Sequence, residues 1–562
     1  MGIRRHIIFS LGLLLPIVHC ALSPIVKTRN GTYLGIELPN FDQEAFLGVP
    51  YAQPPVGQLR LRPPQSLNSS FSGERSAVQY GYTCPGGDDA TVYDMNEDCL
   101  TLNIVRPKYT YANNSSDLAV LVWIYGGGFQ TGATSDPMTN LSYIVQTSAK
   151  MGKPIIAASL NYRKATFGFL GGRDMVNSAN MNLGLRDQRR ALDWIQENIN
   201  AFGGNPEKVT IFGQSSGGAA VGFQLGAWGA TGKPPFRAAI MQSGSSNSQP
   251  DNGTDYHQPM YEEMLSRANC SNVSDHLDCL RRLSYDDYVT VSSGLVFFPT
   301  VDGSFVPAIG SIMKAAGAFH KVPIIAGTTT DDATLFAPLG RDTDEELMQP
   351  PVVQDTGYTI SNRSWTRILE LYPDDPVQGI PAETGSDRFE DNGYQYKRIC
   401  AIGGDILFQS PRRQDCRVFS NAGLPVFSYR FNTIPYVNGT NDTYTDFVGT
   451  LGDADLGVKH GSEMPFVFNN PQSGLSTVLG PEMSYHILAN IMCRMWISFA
   501  ASQDPNGHGV EGVPEWLAYG NDDLAQNFVF HANTTGSGYM ELDNVREMGM
   551  DFLIETQAER VQ

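Results

Sequence analysis

Residues 210–220 read Thr-Ile-Phe-Gly-Gln-Ser-Ser-Gly-Gly-Ala-Ala, and the two serines set among glycines decide how the chain is read. Just upstream, Val209-Thr210-Ile211-Phe212 is a short β-branched and aromatic run, the mark of a buried strand. Residues 218–227, GAAVGFQLGA, can form a helix. Strand, tight turn and helix around G-x-S-x-G place the central serine on a strained turn with its hydroxyl thrust out above a sheet. Only Ser215 has glycine both two residues before it and two after it, Gly213 and Gly217. Ser215 is therefore the candidate nucleophile. Ser216 begins the helix and would turn its backbone N–H toward a developing oxyanion.

Further upstream, residues 183–202 (LGLRDQRRALDWIQENINAF) carry apolar side chains at helical spacing around Ala191, Trp194, Ile195 and Ile199. They predict a helix that GGNPEKV ends. The strand-like AVLVWIY runs directly into Gly126-Gly127-Gly128-Phe129. Three glycines bare their N–H groups and leave room for an acyl oxygen, so this is the candidate oxyanion loop. A serine hydroxyl is a poor nucleophile unaided, so a base and an orienting acid are also required.

The start of the chain sets the compartment. Arg4, Arg5 and His6 precede an apolar run from Ile7 to Val18, and Val18-His19-Cys20 offers small residues for cleavage. Residues 1–20 read as a secretory signal peptide, too short for a membrane span. No other segment suggests stable membrane insertion. Asn-x-Ser/Thr acceptors at Asn30, Asn68, Asn114, Asn140, Asn252, Asn272, Asn362, Asn438, Asn441 and Asn533 fit an extracellular glycoprotein. A net charge of −19 disfavours nucleic acid. With no linker, charge run or repeat, residues 21–562 read as one large domain.

Of eight cysteines, Cys20 falls in the leader. Spacing and an oxidising compartment suggest Cys84–Cys99 and Cys270–Cys279 disulfides, and Cys400–Cys416 would close a third. Cys493, in the helix-like IMCRMWISFA, reads as a buried free thiol. No Cys/His spacing suggests zinc, and there is no HExxH.

At this point the chain resembles the type-B carboxylesterase family, which includes cholinesterases and fungal lipases on the α/β-hydrolase fold. The matching motifs, in order, are FLGVPYAQPPVGQLRLRPP (46–64), EDCLTLN (97–103), YGGGF, NYR (161–163), NLGLRDQ (182–188), GQSSGG, MQSGS (241–245), GTTTDDATLF (327–336), GVKHGSEMPFVF (457–468) and DPN (504–506). The resemblance implies an α/β architecture: a large, mostly parallel twisted sheet flanked by helices. It identifies His460, in GVKHGSE, as the base. Aligning GTTTDDATLF with the family's GxxxDEGT places Asp332 where a glutamate is usual, with Asp331 beside it expected to cap the following turn. The implied oxyanion donors are the backbone N–H groups of Gly127, Gly128 and Ser216. Ser216 stands where alanine is usual, Gln214 where glutamate is common and Tyr125 where histidine is common. Asp187 with Arg163, and Glu97 with Arg60 or Arg62, resemble the family's structural ion pairs.

The implied reaction is two-step acyl transfer on a small-molecule ester, with neither metal nor organic cofactor required. The loop from Cys84 to Cys99 (CPGGDDATVYDMNEDC) is short, acidic and nearly devoid of large apolar residues, unlike a lipase lid. It also lacks the tryptophan with which cholinesterases cradle a quaternary ammonium. This leaves short-chain or aromatic esters as the expected substrates. A lipase or sterol esterase is the alternative if residues 339–360 or 434–450 supply a lid. A relative without catalysis, serving adhesion, is the reading from another class.

Overall fold

The computed structural model describes residues 23–87, 92–108, 117–248, 253–353, 360–434, 454–471, 479–520 and 524–560. The expected signal peptide lies outside them. A small sheet pairs β1 (Ile25–Lys27), β2 (Thr32–Leu34) and β5 (Glu74–Ser76). The main sheet is built from β3 (Ile36–Leu38), β4 (Gln43–Pro50), β6 (Thr101–Pro107), β7 (Leu118–Ile124), β8 (Ile155–Leu160) and β9 (Gly204–Gln214). It continues through β10 (Ala238–Gln242), β11 (Ile324–Thr329), β12 (Val426–Phe431), β13 (Gln526–Phe530) and β14 (Gly538–Leu542).

Its spatial order is β3-β4-β6-β8-β7-β9-β10-β11-β12-β13-β14. The strands from β8 to β13 are mutually parallel, and the flanking pairs are antiparallel. Strands β8, β10 and β11 are buried along their whole length, which is why they read as continuous apolar runs rather than alternating ones. After β7 the chain steps back to β8, then crosses to β9 on the other side of β7. In open parallel sheets, the crevice beyond the carboxyl ends of strands at such a reversal is where ligands bind. The glycine loop leaves β7 there, and Ser215 leaves β9 there.

The expected helix is observed as Leu183–Asn198, with its last turn tightened over Ile199–Phe202. Arg163 grips Asp187 with two 2.7 Å bonds, both side chains buried. Arg60 grips Glu97 at 2.6 Å, while Arg62 turns to the Gln58 carbonyl. A second apolar cluster around Trp365, Ile399 and Ile406 packs beneath Ala333 and Ala337, supporting the turn that follows β11.

Two disulfides form, Cys84–Cys99 and Cys270–Cys279, with Cα separations of 5.0 and 5.9 Å. The expected Cys400–Cys416 bridge does not. Cys400 lies in the helix Tyr396–Gly404 and Cys416 in the helix Ser410–Asn421, joined by a π-helical turn over Asp405–Gln409. Helix from 400 to 416 sets the two residues about 24 Å apart along the axis, far beyond the ~7 Å that a disulfide tolerates. Both are free and buried, as is Cys493 in the helix Met483–Ser502.

Candidate active site

Ser215 occupies the junction between β9 and the helix Ser216–Gly226 with φ 59° and ψ −130°, a backbone conformation costly for a residue with a side chain. The turn closes because its neighbours lack Cβ atoms. A Cβ on Gly213 would lie 2.4 Å from the Gly217 carbonyl oxygen, and one on Gly217 would lie 2.2 Å from that of Ile124. Ser215 donates its N–H to the Gln242 carbonyl at 2.8 Å. Its hydroxyl makes no hydrogen bond among the described residues.

The glycine loop faces this turn. Gly127 and Gly128 adopt φ of 98° and 62°, left-handed conformations open to glycine. The N–H groups of Gly127, Gly128 and Ser216 donate to no acceptor among the described residues. Phe129, next along, donates its N–H to the Ser216 hydroxyl at 3.1 Å. The Cys84–Cys99 loop lies directly against this segment, since a Cβ on Gly86 would meet the Gln130 carbonyl oxygen at 2.3 Å. Residues 88–91 of that loop lie outside the described ones, as do 354–359 and 435–450 of the alternative lid segments 339–360 and 434–450.

His460 is buried, its ring packed against Phe408 and Phe336 with centroids 4.8 and 5.1 Å away. Its Nδ1 stands 2.7 Å from Asp332 Oδ1. The other oxygen, Oδ2, accepts from the Ser243 hydroxyl and the Thr329 N–H, each at 2.9 Å. A carboxylate only accepts, so the Nδ1 proton of a neutral ring points at Asp332 and Nε2 keeps a lone pair. That Nε2 lies 3.1 Å from the Gln214 side-chain nitrogen.

Asp331 does not cap the following turn with its side chain. Its carboxylate accepts from the N–H groups of Ala382 at 2.7 Å and Val458 at 2.8 Å, tying the segment before His460 to the end of β11. Burial raises its pKa. Three residues past His460, Glu463 is wholly buried, and its Oε1 accepts from Gln242 at 3.4 Å. Burial, and then the Asp332 charge, push Glu463 up to about 7.

Ser243, Phe408 and Glu463 are additions to the sequence reading. Ser243 and Glu463 sit inside matched motifs, MQSGS and GVKHGSE, where a polar residue next to candidate machinery is the available signal. Phe408 carries none, because the π-helical turn that presents it is set by packing. Among the described residues no helix is long and apolar enough to cross a membrane, and no group of three or more His, Cys, Asp or Glu could hold a metal ion.

The family model described as "Carboxylesterase family" matches residues 22–548. The chain belongs to the carboxylesterase family. This carboxylesterase is 34% identical to Lipase 4 of Diutina rugosa, over 96% of its own length and 97% of that protein's. It is 32% identical to Secreted lipase 1 of Botryotinia fuckeliana, over 96% and 94%. The crystal structure of Aspergillus niger EstA superposes with a TM-score of 0.80 at 25% identity, covering 96% of this chain and 99% of that one. A second similar structure, titled PNB esterase, gives a TM-score of 0.74 at 26% identity. The carboxylesterase thus has the α/β-hydrolase fold in a single domain and is a serine carboxylic ester hydrolase.

Proposed function

We propose that Ser215, His460 and Asp332 form the catalytic triad, with Gly127, Gly128 and Ser216 supplying the oxyanion N–H groups. The observation that carries this reading is the 2.7 Å contact between His460 Nδ1 and Asp332 beside an elbow whose three candidate donors are unoccupied among the described residues. Ser215 Oγ attacks the ester carbonyl carbon while His460 Nε2 takes its proton. Asp332 stabilises the imidazolium, and the N–H groups hold the oxyanion. The tetrahedral adduct collapses, and His460 gives its proton to the departing alcohol. Water then attacks the acyl-Ser215 ester with His460 again as base, releasing the acid and restoring the serine.

Short-chain or aromatic esters are the substrates we infer, supported by the short acidic Cys84–Cys99 loop pressed against Gln130 and by the likeness to two structures titled PNB esterase. Relatives named as lipases at 32–34% identity favour long-chain esters as the second reading. Residues 1–20 act as a signal peptide in this account, residues 21–562 form the exported enzyme, and the exposed acceptors Asn68, Asn272, Asn362 and Asn533 carry glycans. Two relatives named as secreted lipases support export.

Initial hydrolysis rates of p-nitrophenyl esters from acetate to palmitate, in solution and emulsified, test the substrate class. A peak at short chains without interfacial activation is expected. A peak at long chains would establish the lipase reading instead.

A further inference from the structure

The side chain next to the candidate nucleophile reaches back to the base. Gln214, almost fully buried at the end of β9, places its amide nitrogen 3.1 Å from His460 Nε2. That is the atom the mechanism requires to receive the Ser215 proton. With Nδ1–H directed at Asp332, Nε2 of the neutral ring only accepts, so the amide NH₂ donates to it. A protonated ring would turn a second N–H toward that same NH₂, donor against donor.

We propose that Gln214 is a positioning residue for the base: its amide holds Nε2 in the proton-free resting state, and it must release that atom before the ring can carry a proton. The proposal rests on the assignment of His460 as base and Ser215 as nucleophile. It accounts for the Ser215 hydroxyl making no hydrogen bond among the described residues, because the imidazole acceptor is already engaged. A neutral amide here disfavours the imidazolium, whereas a carboxylate in the same place would accept from Nε2–H and favour it. The titratable groups around His460 are Asp332, which meets Nδ1, Asp331, tied to Val458 two residues before it, Lys459 next to it in the chain, and Glu463, whose carboxyl feels the ring's charge.

The test is the pH profile of kcat/KM on a soluble short-chain ester for wild type, Gln214→Met and Gln214→Glu, with His460→Ala as control and thermal unfolding recorded for each. Gln214→Glu is expected to move the acid limb up by about one pH unit or more. Gln214→Met, which removes only the donor, is expected to move it up by less. Acid limbs that coincide in all three folded proteins, with His460→Ala inactive, would overturn the proposal while leaving the triad standing. Activity retained in His460→Ala would overturn the base assignment and the proposal together. If Gln214→Glu does not fold, the limb of Gln214→Met decides, since an unmoved limb there also contradicts the proposal.

Discussion

Phe129 donates its backbone N–H to the hydroxyl oxygen of Ser216 across 3.1 Å, so one hydrogen bond joins the glycine loop to the turn that carries Ser215. In this account Ser216 works twice, its own N–H facing the oxyanion and its side chain fixing the loop that supplies the other two donors. Replacing Ser216 with alanine keeps the first role and removes the second. Losing a buried hydrogen bond of about 1 kcal/mol in this position corresponds to a fall in kcat of roughly five- to tenfold. KM should change little, because the loop's donors act on the transition state. Steady-state kinetics on a p-nitrophenyl ester check this, and an unchanged kcat would show that the loop holds its geometry without the clasp.

The adjacent aspartates are expected to fail differently. Asp332→Asn should lower kcat by about 10⁴-fold with the fold intact, since the amide no longer stabilises the imidazolium or its tautomer. Asp331→Ala should instead leave two N–H groups, that of the buried Val458 and that of the half-buried Ala382, without this acceptor. The cost is on the order of 2–4 kcal/mol of stability, with activity at low temperature falling far less. Paired measurements of Tm and kcat separate the two. The reverse assignment of effects would make Asp331 the acid.

Glu463 gives stability a dependence on pH. Its carboxyl has an ordinary value of 4.5 and is pushed up to about 7 in the fold, so between these values the native state holds a proton that the unfolded chain has lost. Stability from this group is therefore greatest below about pH 4.5, declines as pH rises toward 7, and then levels off. Glu463→Gln, neutral throughout, should remove that decline, amounting to about 2–3 kcal/mol across the window. Denaturant unfolding of both proteins at pH 5 and pH 8 measures it. An equal pH dependence in the two would assign the effect elsewhere.

Thiol chemistry distinguishes the cysteines. Burial pushes the Cys416 and Cys493 thiols up to about 12 and Cys400 higher still, so none should react with iodoacetamide in the native enzyme. In denaturant without reductant, Cys400, Cys416 and Cys493 should all be alkylated. Cys84, Cys99, Cys270 and Cys279 should be spared until a reductant is added. Peptide mass mapping reads this directly, and a protected Cys400–Cys416 pair would contradict the continuous helix between them.

The sheet's central strands and the elbow were legible because continuous burial and the G-x-S-x-G glycines leave direct marks on the sequence. The family alignment put Asp332 in the acid's place, but residue type gave no sign that Asp331 would hold the N–H groups of Ala382 and Val458 instead of capping the turn. The two aspartates are neighbours, and which one faces His460 depends on backbone angles in the turn after β11 that residue type does not encode. Cys400 and Cys416 misled because a separation that suits a loop also suits two positions far apart on a helix. The Gln214 contact with His460 joins residues from the ends of different strands and loops. The sequence marked Gln214 as unusual for its position without indicating what it touches.

Covalent labelling is the most direct test of Ser215 as the nucleophile. The enzyme would be treated with a fluorophosphonate, digested and mapped by mass spectrometry while ester hydrolysis is followed in parallel. One phosphonyl group per chain is expected, on Ser215 within residues 209–220, appearing in step with loss of activity and absent from Ser215→Ala. A label on another residue accompanying that loss, or undiminished hydrolysis by Ser215→Ala, would contradict it.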